Sequence, residues 1–335
     1  MNIIEKLEKY FNSGSTDKQN QRRLGGLLIA ITVILLVVAI VATSIGGVVA
    51  LVGGIIDAAQ QPDEPVDDGT NSHLTEGYLA DVPDSKFTNI VLDGTTIELT
   101  GSDYVVLSRP NRSYVTVGED KVYLYGCQSA DYFALQTEAH TAFNAMTADF
   151  YESKGKKLFV NNAYDTHDGA INEGYYTNAL SVNLYASTDD LEKICPIDAY
   201  KDQEGGDDSY EWFFTNAYKY GFVRVSDAEG EESIFRYVGL AHAKYIYDKQ
   251  KKVKDDEPFY GLDSYLAEIK ATTPDTEMST KNVKAIGQTT TASYYVYYMT
   301  VAEGVTCKLP KNSYDYNIQK LSDTEYIVTY WKATK

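Results

Sequence analysis

Residues 211–250 read EWFFTNAYKYGFVRVSDAEGEESIFRYVGLAHAKYIYDKQ, and this stretch decides the predicted fold. Its first ten residues predict a helix that begins near Ser209, a favoured N-cap type, and ends at Gly221. FVRV and FRYVG are rich in β-branched and aromatic residues and predict two short strands. LAHAKYIYDKQ then predicts another helix, and LDSYLAEIK at 262–270 predicts one more. Both helices and strands are therefore predicted within this stretch.

Upstream of this stretch lies the most regular helical pattern of the chain. It runs from about Asp131 to Lys154, and Gly155 fits its C-terminal end. Its apolar residues recur at spacings of four, three and four: Ala139, Phe143, Met146 and Phe150. This spacing places the four side chains on one face of a helix.

Short runs of β-forming residues predict the strands around these helices. NIVLDGTTIEL at 89–99 has an Asp-Gly pair between two such runs, which is typical of a hairpin. Further strands are predicted at YVVLS (104–108), KVYLYG (121–126), LFV (158–160) and SVNLYA (181–186). After residue 272 the pattern changes to strands, SYYVYYMTV, TCKL and EYIVTYWK, which predicts a small β module at 272–335.

A long apolar run precedes the whole domain. Residues 24–56 contain no charged side chain, and about 20 helical residues are enough to cross a bilayer core. The run is longer than the ~7–15 apolar residues of a cleaved signal peptide, so it predicts a single transmembrane helix that stays in place.

The charges that flank this run predict its orientation. Residues 1–23 carry five basic and three acidic side chains, whereas residues 57–85 are acidic, rich in proline and without periodicity. The positive-inside rule then puts a tail at 1–23 in the cytoplasm and an acidic stalk at 57–85 outside it. The predicted location is the cell membrane, with the folded domain on the extracytoplasmic side.

Composition limits the classes of partner and site. The net charge of −18 argues against nucleic acid, because phosphate binding needs a basic face. The three cysteines, Cys127, Cys195 and Cys307, form no CxxC or CxxxC pair, which argues against a structural zinc knuckle. Their odd number leaves at least one thiol free, and one disulfide or three buried thiols both fit the sequence.

Tyrosine is unusually frequent, with 29 residues against 11 Phe and 2 Trp. In the strand SYYVYYMTV, Tyr295 and Tyr297 fall on one face, and Tyr294 and Tyr298 fall on the other. Such a face could stack on the sugar rings of a glycan or pack within a sheet, and the sequence leaves both interpretations open.

Four segments taken together resemble the zinc D-alanyl-D-alanine carboxypeptidases of the VanY type. They are KLFVNNAYD (157–165), EWFFTNAYKYGFVRV (211–225), FRYVGLAHAKYIYDKQ (235–250) and GLDSYLAEIK (261–270). The tail is similar to the C-terminal β extension of some clostridial members. The resemblance implies an α+β carboxypeptidase-like domain at 86–271 and, in the family, removal of the terminal D-Ala from peptidoglycan stem peptides.

The family binds its zinc through the motifs S-x-H-x-x-G-x-x-x-D and E-x-W-H, and a carboxylate acts as general base on a zinc-bound water. On YTNALSVNLY the His position falls on Asn178, the Gly position on Ser181 and the Asp position on Tyr185. On EESIF the general-base position is Glu231 and the second His position is Ile234. All three zinc-ligand positions therefore hold residues that are not ordinary zinc ligands.

Two further positions complete the predicted cleft. Asp165 replaces the Arg that holds substrate in the family, and Arg236 follows Ile234 in the same strand. Glu231 is either a relic of the general base or a solvated glutamate beside Glu232. The DTHD run at 165–168 could hold a cation, although a short acidic loop is ordinarily just solvated.

These substitutions predict a degenerate member of the family without zinc and without another cofactor. The leading hypothesis is a membrane-anchored pseudopeptidase that binds cell-wall peptide or a protein partner. An active D-alanyl-D-alanine carboxypeptidase is the first alternative. A structural subunit of a membrane complex, held through residues 24–56, is the second.

Overall fold

The structure is a computed structural model that describes residues 73–334 with short gaps, at 94, 108–113, 118–119, 124–126, 129, 131, 157, 168–171, 188–193, 201–207, 255–256, 285–288, 302–305 and 312–313. The predicted tail, span and most of the stalk lie outside these residues. No helix in the described part is both long and apolar enough to cross a membrane.

The described chain mixes helices and strands. Its α-helices are α1 (Thr137–Lys154), α2 (Glu211–Asn216), α3 (Leu240–Gln250) and α4 (Leu262–Lys270). Its 3-10 helices are Leu79–Asp81, Asp84–Lys86, Gly174–Ala179, Ile197–Tyr200, Asp208–Tyr210 and Ala217–Tyr220. Its strands are β1 (Leu74–Gly77), β2 (Tyr104–Val106), β3 (Tyr114–Val117), β4 (Asp120–Tyr123), β5 (Cys127–Gln128), β6 (Phe133–Gln136), β7 (Leu158–Asn162), β8 (Tyr164–Asp165), β9 (Ser181–Ser187), β10 (Ile194–Pro196), β11 (Phe222–Arg224), β12 (Ile234–Tyr237), β13 (Met278–Lys284), β14 (Thr291–Thr300), β15 (Cys307–Pro310), β16 (Asp315–Lys320) and β17 (Glu325–Thr334).

Three of the four predicted helices are confirmed closely, and the fourth starts later than predicted. α1 ends at the predicted Lys154 but begins at Thr137 and not near Asp131, because the buried residues Phe133–Gln136 form the strand β6. α3 and α4 have the predicted bounds, and the segment 208–220 is helical throughout, although it changes from 3-10 to α and back. Gly155 and Gly221 end their helices in the left-handed conformation. At Gly221 a Cβ would lie 2.5 Å from the Tyr237 ring, so close packing also requires glycine there.

A six-stranded sheet is the centre of the domain. Its order is β11-β12-β9-β7-β5, with β10 also paired to β9, and only the β5–β7 pair is parallel. One face of β9 and β7 packs on α1, where Val182, Leu184 and Val160 join the predicted stripe of α1 in one core cluster. The opposite face of β9 therefore carries the alternate residues, which include Ser181 and Tyr185.

The C-terminal strands form a second sheet, with the order β13-β14-β17-β16. Val296 and Ile327 of this sheet share a core cluster with Tyr265 and Ile269 of α4. The tyrosines of β14 belong to the packing: Tyr297 is fully buried and Tyr294 is 9% exposed. For these two residues, the sheet-packing interpretation of the tyrosine run is confirmed.

The predicted hairpin at residues 89–99 is wrong. The Asp93 carboxylate accepts a hydrogen bond from the Thr95 N–H at 3.0 Å, as in a local turn. The described residues on either side form no strand. Val91 and Leu92, both 2% exposed, enter two different core clusters. The segment is thus an irregular connection between cores, and four of its backbone groups bond to distant side chains.

Candidate functional site

The structure brings six of the seven sequence-predicted positions to one area, all except Asp165, and adds Asn183 to them. Ser181 lies opposite Arg236, and Asn183 lies opposite Ile234, in the antiparallel pairing of β9 with β12. Tyr185 follows on the same face of β9 by alternation. We call these five residues of β9 and β12 the polar face. Asn178 comes just before β9, and Glu231 lies in the turn just before β12.

Asn178 connects this area to the segment at 89–97. The residue is 2% exposed and adopts a left-handed conformation, with φ at 72°. Its side-chain amide donates to the Thr95 carbonyl at 2.7 Å, and its side-chain oxygen accepts the Ile97 N–H at 2.9 Å. Both polar atoms of the side chain are used in holding the backbone, so Asn178 acts as a structural clamp.

Arg236 holds the same segment from the polar face. Its guanidinium donates to the carbonyls of Val91 and Tyr175, each at 3.1 Å, and to the Ser181 hydroxyl at 3.4 Å. Burial lowers the pKa of Arg236 to about 10, while the charge of Asp93 acts in the opposite direction. The guanidinium still remains charged at neutral pH.

A third buried polar side chain completes the contacts to this segment. Gln136, at the end of β6, donates to the Asn89 carbonyl at 3.1 Å and to the Asn178 carbonyl at 2.7 Å. We call residues 89–97 the clamped segment, because Gln136, Asn178 and Arg236 each bind its backbone. These bonds account for the polar groups that a hairpin would have paired.

Glu231 and Ile234 occupy ordinary structural environments. Glu231 is half-buried and accepts a hydrogen bond from the Tyr175 hydroxyl at 3.1 Å, and its backbone carbonyl accepts the Ile234 N–H. Ile234 is 5% exposed and begins β12. Burial, together with the nearby Glu231 carboxylate, raises the pKa of Tyr175.

Tyr176 and two asparagines form a polar group beside the polar face. Burial raises the pKa of Tyr176, and hydrogen bonds from the side chains of Asn183 and Asn162 act against this. The side-chain oxygens of Asn162 and Asn183 and the Nε of Arg236 are buried without a hydrogen-bond partner within the described residues. Such atoms cost free energy unless a ligand or water satisfies them, and they are the feature of this area that fits binding.

Asp165 lies on a different sheet. It belongs to β8, which pairs with β6 in a three-stranded sheet of order β2-β6-β8. Its carboxylate accepts the His167 N–H at 2.7 Å, and its backbone is held by the side chain of Asn172. The last residue of the DTHD run lies outside the described residues, and the part of the chain that is described contains no group of three potential metal ligands.

Sequence reasoning missed Gln136, Asn162, Tyr175, Tyr176 and Asn183. For Asn183 the signal was present, because strand alternation between Ser181 and Tyr185 places it on the same face. Gln136 lies 42 residues before Asn178 along the chain, and Asn162 lies on a different strand, β7, so only the fold brings them close.

No family model and no curated protein matches the chain. Among solved structures, it is similar to the crystal structure of the vancomycin resistance D,D-dipeptidase VanXYg in complex with a D-Ala-D-Ala phosphinate analogue. The identity is 17% and the TM-score 0.42, and the match covers 60% of this chain and 83% of that chain. This similarity is to a distantly related fold, and no activity, substrate or metal is carried over from it.

Proposed function

We propose that this chain is a non-catalytic, carboxypeptidase-like protein that is anchored in the cell membrane through residues 24–56 and binds cell-wall peptide on the extracytoplasmic side. The observation that carries the proposal is the state of Asn178. Asn178 occupies the position at which the family that this sequence resembles has a zinc-binding His. Both polar atoms of its side chain are already hydrogen-bonded to the clamped segment.

The other ligand positions support the same proposal. Ile234 offers no lone pair and is buried in β12. Tyr185 stands at the carboxylate position, where a hard or borderline cation would need a deprotonated oxygen. Without an activated water, Glu231 has no nucleophile to deprotonate in the way the family chemistry requires.

A binding role is supported by the unsatisfied polar atoms. The Oδ1 of Asn183 accepts hydrogen bonds and the Nε of Arg236 donates them, so the pair complements an amide group, and the Nε alone complements a carboxylate. Stem peptides carry both groups. A peptide that satisfied these atoms would recover the cost of their burial.

The catalytic part of the proposal is tested by D-alanine release. Full-length protein from cells grown with added zinc is incubated with a pentapeptide that ends in D-Ala-D-Ala. We expect release at the rate of the protein-free blank, for both the wild type and Glu231→Gln. Release by the wild type that Glu231→Gln abolishes would overturn the proposal in favour of an active carboxypeptidase.

The binding part is tested by sedimentation with purified peptidoglycan sacculi. We expect the wild type to sediment and a soluble stem pentapeptide to compete. Asn183→Ala removes the unpartnered oxygen and is expected to weaken retention, whereas the matched control Asn161→Ala changes an exposed asparagine of β7 and should not. No retention, together with a membrane protein that co-purifies stably, would favour a subunit of a membrane complex instead.

A further inference from the structure

A pocket of about 200 Å³ lies away from the polar face. It is formed by α2, the 3-10 helix Ala217–Tyr220, the edge strand β11 and the end of α3. Arg224 of β11 pairs with Phe235 of β12, and Phe235 belongs to the core cluster on the α1 side of the sheet. The pocket therefore lies at the β11 edge of the sheet, and no residue of the polar face lines it.

Six of the twelve residues that line the pocket are aromatic: Phe213, Phe214, Tyr218, Phe222, Phe235 and Tyr247. Tyr218 and Tyr247 stack with ring centroids 4.0 Å apart and an interplanar angle of 11°. Gln250 fixes the end of α3 by donating to the carbonyls of Arg224 and Tyr260, at 3.2 and 3.1 Å. These contacts give the pocket a preformed shape.

Two cations lie at this pocket, Arg224 and Lys251. The Arg224 guanidinium packs over the rings of Phe214 and Phe259, 5.7 and 5.0 Å from their centroids, and the Lys251 amine lies 5.4 Å from the centroid of Tyr247. Neither cation has a side-chain hydrogen bond or an ion pair to a carboxylate among the residues that the structure describes.

The neighbouring Lys244, in contrast, forms an ion pair with Asp248. Of the residues that line the pocket, Glu211 is the one carboxylate, so the two cations outnumber it. The pocket is a local positive site on an acidic protein, and it complements an anion.

We propose that this pocket binds a small aromatic carboxylate. Its ring would pack among the aromatic walls, and its carboxylate would bind Arg224 and Lys251, since guanidinium and carboxylate form strong charge-assisted bonds. The volume of the pocket agrees with a small ligand, because pockets for drug-sized ligands measure about 300–1,000 Å³ and this pocket measures about 200 Å³. The proposed ligand therefore carries one aromatic ring and one carboxylate group. This site is separate from the binding role proposed for the polar face.

The test uses full-length protein and phenylacetate as the probe, with ligand-observed saturation-transfer NMR and calorimetry. We expect saturable binding, and weaker binding by the neutral analogue phenylacetamide. Arg224→Gln is expected to weaken phenylacetate binding by about 10-fold or more, with a smaller loss for Lys251→Gln. The matched control Lys252→Gln removes an exposed charge next to the pocket residue and should bind as the wild type does.

Circular dichroism and the melting temperature establish that each variant is folded, and binding of phenylacetamide by Arg224→Gln provides a second check, because it should equal that of the wild type. The proposal is overturned if phenylacetate does not bind the wild type saturably. It is also overturned if Arg224→Gln and Lys252→Gln bind it equally, or if the amide binds as tightly as the acid.

Discussion

Replacing Asn178 by alanine should destabilise the protein strongly, although the change removes only a small side chain. It leaves the Ile97 N–H and the Thr95 carbonyl without their partner in a partly buried setting. A buried polar group that loses its partner costs about 1–3 kcal/mol. The left-handed backbone at φ 72° adds about 1 kcal/mol for a residue with a Cβ that does not favour this region. Because both groups are only partly buried, about 1–2 kcal/mol for each, together with the backbone contribution, gives an expected loss of about 3–5 kcal/mol in the free energy of unfolding.

Two matched variants separate these contributions. Asn178→Gly removes the same bonds without the backbone cost, so it should be about 1 kcal/mol less destabilising than Asn178→Ala. Asn282 also has a left-handed backbone, with φ at 58°, but it is exposed. Asn282→Ala should therefore cost only the backbone contribution, about 1 kcal/mol.

The assay is urea unfolding of the full-length chain, followed by the fluorescence of Trp212 and Trp331, with hydrogen exchange at the Ile97 amide as a local readout. Asn178→Ala should expose that amide to exchange. If Asn178→Ala costs no more than Asn282→Ala, the clamp does not hold the segment and the structural role given to Asn178 is refuted.

Three further predictions concern other parts of the chain. Arg236→Met should lower the free energy of unfolding by about 3 kcal/mol, because it leaves the carbonyls of Val91 and Tyr175 unpaired, and Arg236→Lys should restore only part of this in urea unfolding. Burial lowers the pKa of His242 from 6.5 to about 4. As the pH falls, His242 is therefore protonated in the unfolded chain at a higher pH than in the folded chain. The free energy of unfolding should fall by up to about 3 kcal/mol between about pH 6.5 and about pH 4. His242→Gln should lose that part of the pH dependence; an unchanged slope would contradict it. Deletion of residues 1–56 should move the protein from the carbonate-washed membrane pellet to the soluble fraction, and a truncated protein that stays in the pellet would contradict the predicted anchor.

The helices were predictable because their signals are local. α3 and α4 each begin directly after a glycine and carry an apolar periodicity that fits only a helix, so their bounds followed from the sequence. The fully buried Phe150 and Met146 likewise follow from the spacing within α1. In these elements the local preference and the tertiary packing agree.

The clamped segment shows where local signals fail. Its Asp-Gly pair favours a turn, but the partners of its backbone come from Gln136, Asn178 and Arg236, which lie 47 to 145 residues away along the chain. A sequence pattern does not contain this competition, because the side chains become neighbours only once the sheets have formed. The same reason explains why the polar face was predicted in part: alternation along β9 and β12 is local, whereas the approach of Tyr176 and Asn162 is not.

We propose that the positions resembling zinc ligands, Asn178, Tyr185 and Ile234, do not bind zinc. The most direct measurement is the zinc content of the full-length chain, purified from cells grown with added zinc and analysed by inductively coupled plasma mass spectrometry. Tyr185→Phe, which removes the hydroxyl at one of these positions, provides the matched background. We expect well below one zinc per chain in both proteins. A stoichiometric zinc in the wild type that is lost in a folded Tyr185→Phe variant would contradict this proposal.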